Sequence, residues 1–159
     1  MLEEHHLISH LLCEFPQFRR RWEEDSSRSG LDARPYLDMS RFVRFLTDEL
    51  YEKENYKQIH VAFERMEQFL RDGTAGVREL VVFGFLETLR NVASWKPYGG
   101  DAFVQFLRPE SSRFWAKLDA VGNLNLDNCT VLEGEVLIWR IVRQSLSHST
   151  TIPVPTPPR

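Results

Sequence analysis

Val77–Trp95 reads VRELVVFGFLETLRNVASW, and this stretch decides the fold. Val77, Leu80, Val81, Phe83, Phe85, Leu86, Leu89 and Val92 leave only a thin polar edge on a helix drawn through it. A helix that is apolar nearly all round has to be covered by other elements on several sides. Arg78, Glu79, Glu87 and Arg90 interrupt it too often for a bilayer span, which wants about 20 mostly apolar residues. The segment is read as the buried central helix, 77–95, of an all-α, single-domain helical bundle.

The flanking sequence supplies the cover. Asp72-Gly73 stops a preceding helix, and Thr74 with Val77 starts the central one. The preceding helix carries Ile59, Ala62, Phe63, Met66, Phe69 and Leu70 at helical spacing, with Asn55 as its cap. Before it, Met39, Phe42, Val43, Leu46 and Leu50 form one apolar face on a helix opened by Pro35 and running to Glu54. Both breaks are short, which favours antiparallel neighbours and predicts an up-down-up core of three helices. Leu7, Ile8, Leu11 and Leu12 predict an amphipathic first helix within Leu2–Phe15. Phe18 and Trp22 continue a second short helix after Pro16, and the polar run Asp25–Gly30 reads as a loop.

On the other side, Pro97-Tyr98-Gly99-Gly100 is the strongest break in the chain. A short helix through Phe103, Val104, Phe106 and Leu107 ends before Pro109, and another through Ser111, Phe114, Trp115 and Leu118 is closed by Gly122. Asn123–Thr130 is polar and turn-prone, an extended excursion before a last helix over Glu133–Leu146. The sum is about six to eight helices. The domain is placed at 1–148 and a disordered tail at 149–159, which holds four of the eight prolines.

At 159 residues, the chain is large enough to fold on its own core without disulfide or metal. Twenty basic residues against twenty-three acidic ones argue against nucleic acid as a partner, because phosphate binding needs a clear basic patch. No signal peptide or membrane span is read, and Cys13 and Cys129 lie far apart without paired spacing. A cytoplasmic protein with reduced thiols is expected. Cys13, beside Leu11 and Leu12, reads as a buried small hydrophobe.

Reaction chemistry has little to stand on. His6 and His10 share a helix face with Glu3 a turn away, but the glutamate of HExxH is missing. His60, Glu64 and Glu67 have carboxylate-histidine spacing on one helix, without the repeated Glu-x-x-His of di-iron bundles. Solvated polar faces are the favoured reading of both, so no metal and no cofactor are expected. No nucleophile elbow and no phosphate loop occurs.

Binding features are easier to find. Glu23, Glu24 and Asp25 form one acidic run, and Asp48, Glu49 and Glu52 with Glu54 form another. Such runs are usually solvated faces; in the sharper reading they steer the protein onto a basic partner. Trp95 and Tyr98, beside the main break, are read as partly buried aromatics that either anchor an interface or cap the core. Glu87 and Asn91 stand four apart on the apolar helix and are expected to be buried polar groups, with Asn91 holding the turn at 97–100.

Leu-x-x-Phe-Pro-x-Phe-x-x-x-Trp at Leu12–Trp22 and Gly-Phe-Leu-Glu-x-Leu-x-Asn at Gly84–Asn91 resemble a family of small, largely uncharacterised bacterial helical domains. Leu107, Pro109, Ser111 and Trp115 resemble that family's Leu-x-Pro-x-Ser…Trp element. The resemblance spans residues 7–118. Its members are encoded near polymorphic toxins and are thought to be immunity proteins, which implies a binder that blocks a toxin and carries no catalytic residue over to this chain. The leading expectation is therefore a protein-binding, non-enzymatic immunity module. A regulatory adaptor of another cytosolic protein is the first alternative, and a metal- or thiol-dependent enzyme the second.

Overall fold

The computed structural model of the chain describes residues 2–29 and 34–124. Helix α1 (Glu4–Glu14) is followed by α2 (Pro16–Ser29) and α3 (Pro35–Phe45), and α3 runs directly into a π-helical segment, π1 (Leu46–Tyr51). Helix α4 (Tyr56–Asp72) precedes the central helix, built of α5 (Ala75–Glu79), π2 (Leu80–Glu87) and α6 (Thr88–Ser94). A 3₁₀ turn (Gly100–Phe106) and α7 (Pro109–Leu124) complete the described order. Among the described residues there are seven α-helices and no strand, so the chain has an all-α fold. The one isolated bridge joins Leu2 to Gly73.

The central helix is as buried as its composition requires. Every residue from Leu80 to Leu86 is buried. Helix α3 packs along π2 and α6, α4 touches α5 and π2, and α7 lies on α4 and π2. Gly84 leaves room for α3: a Cβ there would sit 3.2 Å from Met39 Cγ and 3.3 Å from Met39 Cβ. On the α3 side the core is aromatic. Phe42 meets Phe18 at 5.0 Å, Phe15 at 5.2 Å and Phe85 at 6.2 Å between ring centroids, tying α1, α2 and α3 to the central helix.

Two local predictions are seen at atomic level. The Asn55 side chain accepts from the Gln58 N–H at 3.4 Å, and that of Thr74 from the Val77 N–H at 3.3 Å. Each satisfies one of the donors that a helix start leaves open. Gly73 ends α4 as its C-cap.

Other expectations need correction. The helix opened by Pro35 and the central helix both widen into π segments that their 3.6-residue patterning does not forecast. In the first, the Glu52 and Asn55 N–H groups reach back five residues, to Thr47 O at 3.1 Å and Leu50 O at 2.8 Å. The polar run from Asp25 does not break at once, because α2 continues to Ser29. Helix α7 passes Gly122 and ends at Leu124. Cys13 is exposed, since the buried face of α1 is Leu7, Ile8 and Leu11 and two further residues turn the helix by about 200°. The 125–130 part of the excursion, the helix over 133–146, Cys129 and the 149–159 tail lie outside the described residues.

Two buried carboxylates position elements. Asp38, 4% exposed, accepts from Trp22 Nε1 at 2.8 Å and from Arg41 Nη1 at 3.0 Å, fastening α2 to α3. Glu67, 7% exposed on α4, accepts from the backbone N–H groups of Glu110 at 2.7 Å and Ser111 at 3.0 Å. It thus caps α7 from another helix, where a negative charge also suits the helix dipole.

Phe42→Ala should lower the unfolding free energy by about 3–5 kcal/mol in urea titrations, the usual cost of a cavity left by a buried Phe. Glu67→Ala should cost about 1–3 kcal/mol, because it strands two backbone donors at the start of α7. Glu67→Gln, which keeps an acceptor oxygen, should recover part of that loss in the same titration.

Candidate functional site

The π1 segment and the turn after α6 meet at one end of the bundle. Lys96 Nζ reaches Glu52 Oε1 at 2.7 Å and Asp48 Oδ1 at 3.0 Å. Asp48 is approached from the other side by Arg21 Nη2 of α2 at 3.8 Å, and Thr47 Oγ1 donates to Asp48 Oδ1 at 3.1 Å. Two residues past Lys96, the half-buried Tyr98 ring packs on Tyr51 with centroids 4.4 Å apart, and Tyr51 contacts Phe103 at 4.8 Å. Gly99 closes the turn at φ 67°, a left-handed conformation that a side chain would strain.

Trp95 stands at the head of this turn. Its residue is 89% exposed, the most exposed of the large apolar side chains described. It was expected to be partly buried. Helix α6 buries only Leu89 and Ala93, and the chain has left the core by the time it reaches Trp95. Asn91 is corrected for the same reason: it lies two residues from both Leu89 and Ala93, about 200° round the helix, and is exposed. Its backbone carbonyl accepts from Ser94 Oγ at 2.7 Å, and the side chains beside the 97–100 turn that contact π1 are Lys96 and Tyr98. Glu87 is half-buried.

The structure brings Asp48, Glu49, Glu52, Trp95 and Tyr98 to this end of the bundle, but the acids are not free-standing. Lys53 Nζ bonds Glu49 Oε2 at i,i+4. Glu23 and Glu24 face Arg19 and Arg20 along α2 at 4.0 and 3.8 Å, and Asp25 lies 3.9 Å from Arg41. A groove of about 1010 Å³ runs between α2 and the end of π1, walled by Arg20, Arg21 and Glu24 on one side and Glu49, Lys53 and Glu54 on the other. Glu24 of the first acidic run and Glu49 and Glu54 of the second therefore line the same groove.

The histidine clusters disperse. His6 and His10 are exposed on α1, and His60 packs edge-on to Phe106 at 4.9 Å. Glu64 pairs with Arg108 at 3.0 Å, while Glu67 serves as the α7 cap. Among the described residues no group of three or more His, Cys, Asp or Glu is arranged to hold a metal ion. None of the described helices is long and apolar enough to cross a membrane.

A family model for a domain of unknown function, DUF7674, matches residues 8–122. The chain belongs to the DUF7674 family. The match runs from α1 into α7 and includes every residue of the clasped tip. It agrees in extent with the sequence motifs, and it attaches no activity and no toxin association to the DUF7674 fold. No curated protein and no solved structure shows significant similarity to the chain.

Charge at the DUF7674 tip is locked by geometry. Partial burial pushes the Asp48 carboxyl upward, but hydrogen bonds from Lys96 and Thr47 and the charges of Lys96 and Arg21 outweigh it and hold it below its ordinary value. The bonds to Glu52 and Asp48 raise Lys96 above the usual ammonium range. Burial pushes the Tyr98 phenol up. Sequence reading found the acids but passed over Lys96 and Tyr51, and the basic run Arg19-Arg20-Arg21 gave no sign that Arg21 would face Asp48. The one local signal was a lysine at a helix C-terminus, where a cation suits the dipole; its partners are more than forty residues away.

A carboxyl held low when folded stabilises above its unfolded pKa and loses that contribution as pH falls through the folded value. Asp48→Asn should therefore lower stability at neutral pH, by no more than about 1 kcal/mol for so solvent-screened a pair. Melting curves of variant and wild type should converge as the pH drops below the normal aspartate range.

Proposed function

We propose that this DUF7674 chain is a protein-binding module and that Trp95 is its anchor. The observation that carries the reading is the 89% exposure of Trp95 at the head of a turn whose next residues, Lys96 and Tyr98, contact π1 and the residue after it. A tryptophan buries about 150–250 Å² when it is covered. At about 25 cal/mol per Å², that is about 4–6 kcal/mol of gross driving force, before the cost of association is subtracted. Tryptophan is accordingly among the residues most enriched where alanine substitution costs binding most.

The partner is a protein with an apolar pocket for the indole. In the most concrete form of the proposal it is a toxin domain that this chain neutralises by occlusion, a reading supported by the resemblance of the Leu12–Trp22 and Gly84–Asn91 motifs to immunity-type domains. The acidic runs add less than their sequence implies. Ion pairs to Arg19, Arg20, Arg21, Arg41, Lys53 and Lys96 reduce the field they project, so attraction of a basic partner is secondary to the indole.

Affinity capture from the native host with wild-type and Trp95→Ala baits tests the proposal. The expected result is one stoichiometric partner that carries a toxin domain and loses its toxicity on co-expression. Trp95→Ala should weaken its binding by about 2 kcal/mol or more, roughly 30-fold, without shifting the melting temperature. A partner held equally well by both baits would remove Trp95 from the interface. Recovery of a housekeeping protein in place of a toxin would leave the binding module standing and replace immunity with an adaptor role.

A further inference from the structure

We infer that Lys96 and Tyr98 are positioning residues that hold the Trp95 turn in one conformation before any partner arrives. The inference rests on the reading of Trp95 as an anchor. Its evidence is the contrast along the turn: Lys96 and Tyr98 both reach back to π1, whereas Trp95 is 89% exposed.

The two contacts differ in kind and converge on one turn of π1 and the residue after it. Lys96 bonds Asp48 and Glu52, one helical turn apart, so its ammonium bridges two carboxylates. Tyr98 lays its ring on Tyr51, the residue just before Glu52, at 4.4 Å. Arg21 of α2 lies 3.8 Å from the other Asp48 oxygen, adding a second cation to the receiving carboxylate. Within the turn, the Trp95 N–H donates to Val92 O at 3.3 Å, Lys96 N–H to Ala93 O at 2.9 Å and Gly99 N–H to Lys96 O at 3.2 Å. A chain leaving a helix beside the Pro97–Gly100 break would otherwise fray, because terminal turns lack their full set of backbone bonds. Fixing it in advance removes an ordering cost from binding, and that is how a preorganised anchor gains affinity without new contacts.

The distinction is visible without a partner. ¹⁵N relaxation on the whole chain should give the Trp95, Lys96 and Tyr98 amides an order parameter near the rigid value of about 0.85 in the wild type; in Lys96→Met the amides of residues 95, 96 and 98 should fall below about 0.6. The Asp48→Asn/Glu52→Gln double variant removes the same ion pairs from the opposite side and should reproduce the fall, while amides of α4 and π2 keep their order. Either variant, folded by circular dichroism and with the amides of residues 95, 96 and 98 as ordered as in the wild type, would overturn the inference. This outcome is separate from the Trp95→Ala capture experiment: an ordered turn in Lys96→Met with capture lost in Trp95→Ala sinks the positioning role alone. A loosened turn with capture intact in Trp95→Ala sinks the anchor alone.

Discussion

Everything in this fold follows from the need to cover Leu80–Leu86 on all sides. Seven consecutive buried residues cannot be served by a single neighbour, so α3, α4 and α7 each take part of the circumference. The π winding belongs to the same constraint. A π turn carries more residues than an α turn and shifts the face that follows. The Thr88 hydroxyl donates to Phe83 O at 3.1 Å, five residues back, using a carbonyl within the widened stretch. Gly84 then lets α3 approach where a side chain would hold it off.

The aromatic layer answers a second requirement. Helices α1 and α2 and the Phe15 between them bury only Leu7, Ile8, Leu11, Phe15 and Phe18, with Leu12 and Trp22 partly covered, yet they must close the α3 side. Large rings do this economically, because Phe42 alone brings Phe15, Phe18 and Phe85 into one contact set. Polar fasteners then fix the angle between elements. Trp22 to Asp38 joins α2 to α3, and Arg65 grips both Glu14 oxygens at 2.8 and 2.9 Å to join α4 to α1. That planar, two-point geometry is specific to guanidinium, and Lys in its place would lose it.

What was legible in the residues was local. The apolar faces of Met39–Leu50 and Ile59–Leu70, the caps at Asn55 and Thr74 and the stop at Gly73 are written in neighbouring side chains, and each is present. What was not legible depends on distance. Asp38 looks like any first-turn acid until Trp22 is folded onto it, and Glu67 looks like a histidine's neighbour until α7 arrives. Asn91 was misplaced because a polar residue on an apolar helix was assumed to lie inward, whereas it marks the side where that helix leaves the core. The tip was half legible: its acids and aromatics stood out, but the lysine that joins them sat unnoticed in a turn.

The cap that Glu67 lends to α7 makes that helix depend on α4. A helix that starts on Pro109 has no side chain of its own at Glu110 or Ser111 to receive those two backbone donors; the acceptor comes from more than forty residues upstream. In the folded chain, therefore, α7 has its backbone donors satisfied only where α4 is wound and seated beside it, and the same helix α7 covers part of both α4 and π2. Anything that unseats α4 thus removes the cap of α7 and loosens the cover that α7 gives to π2.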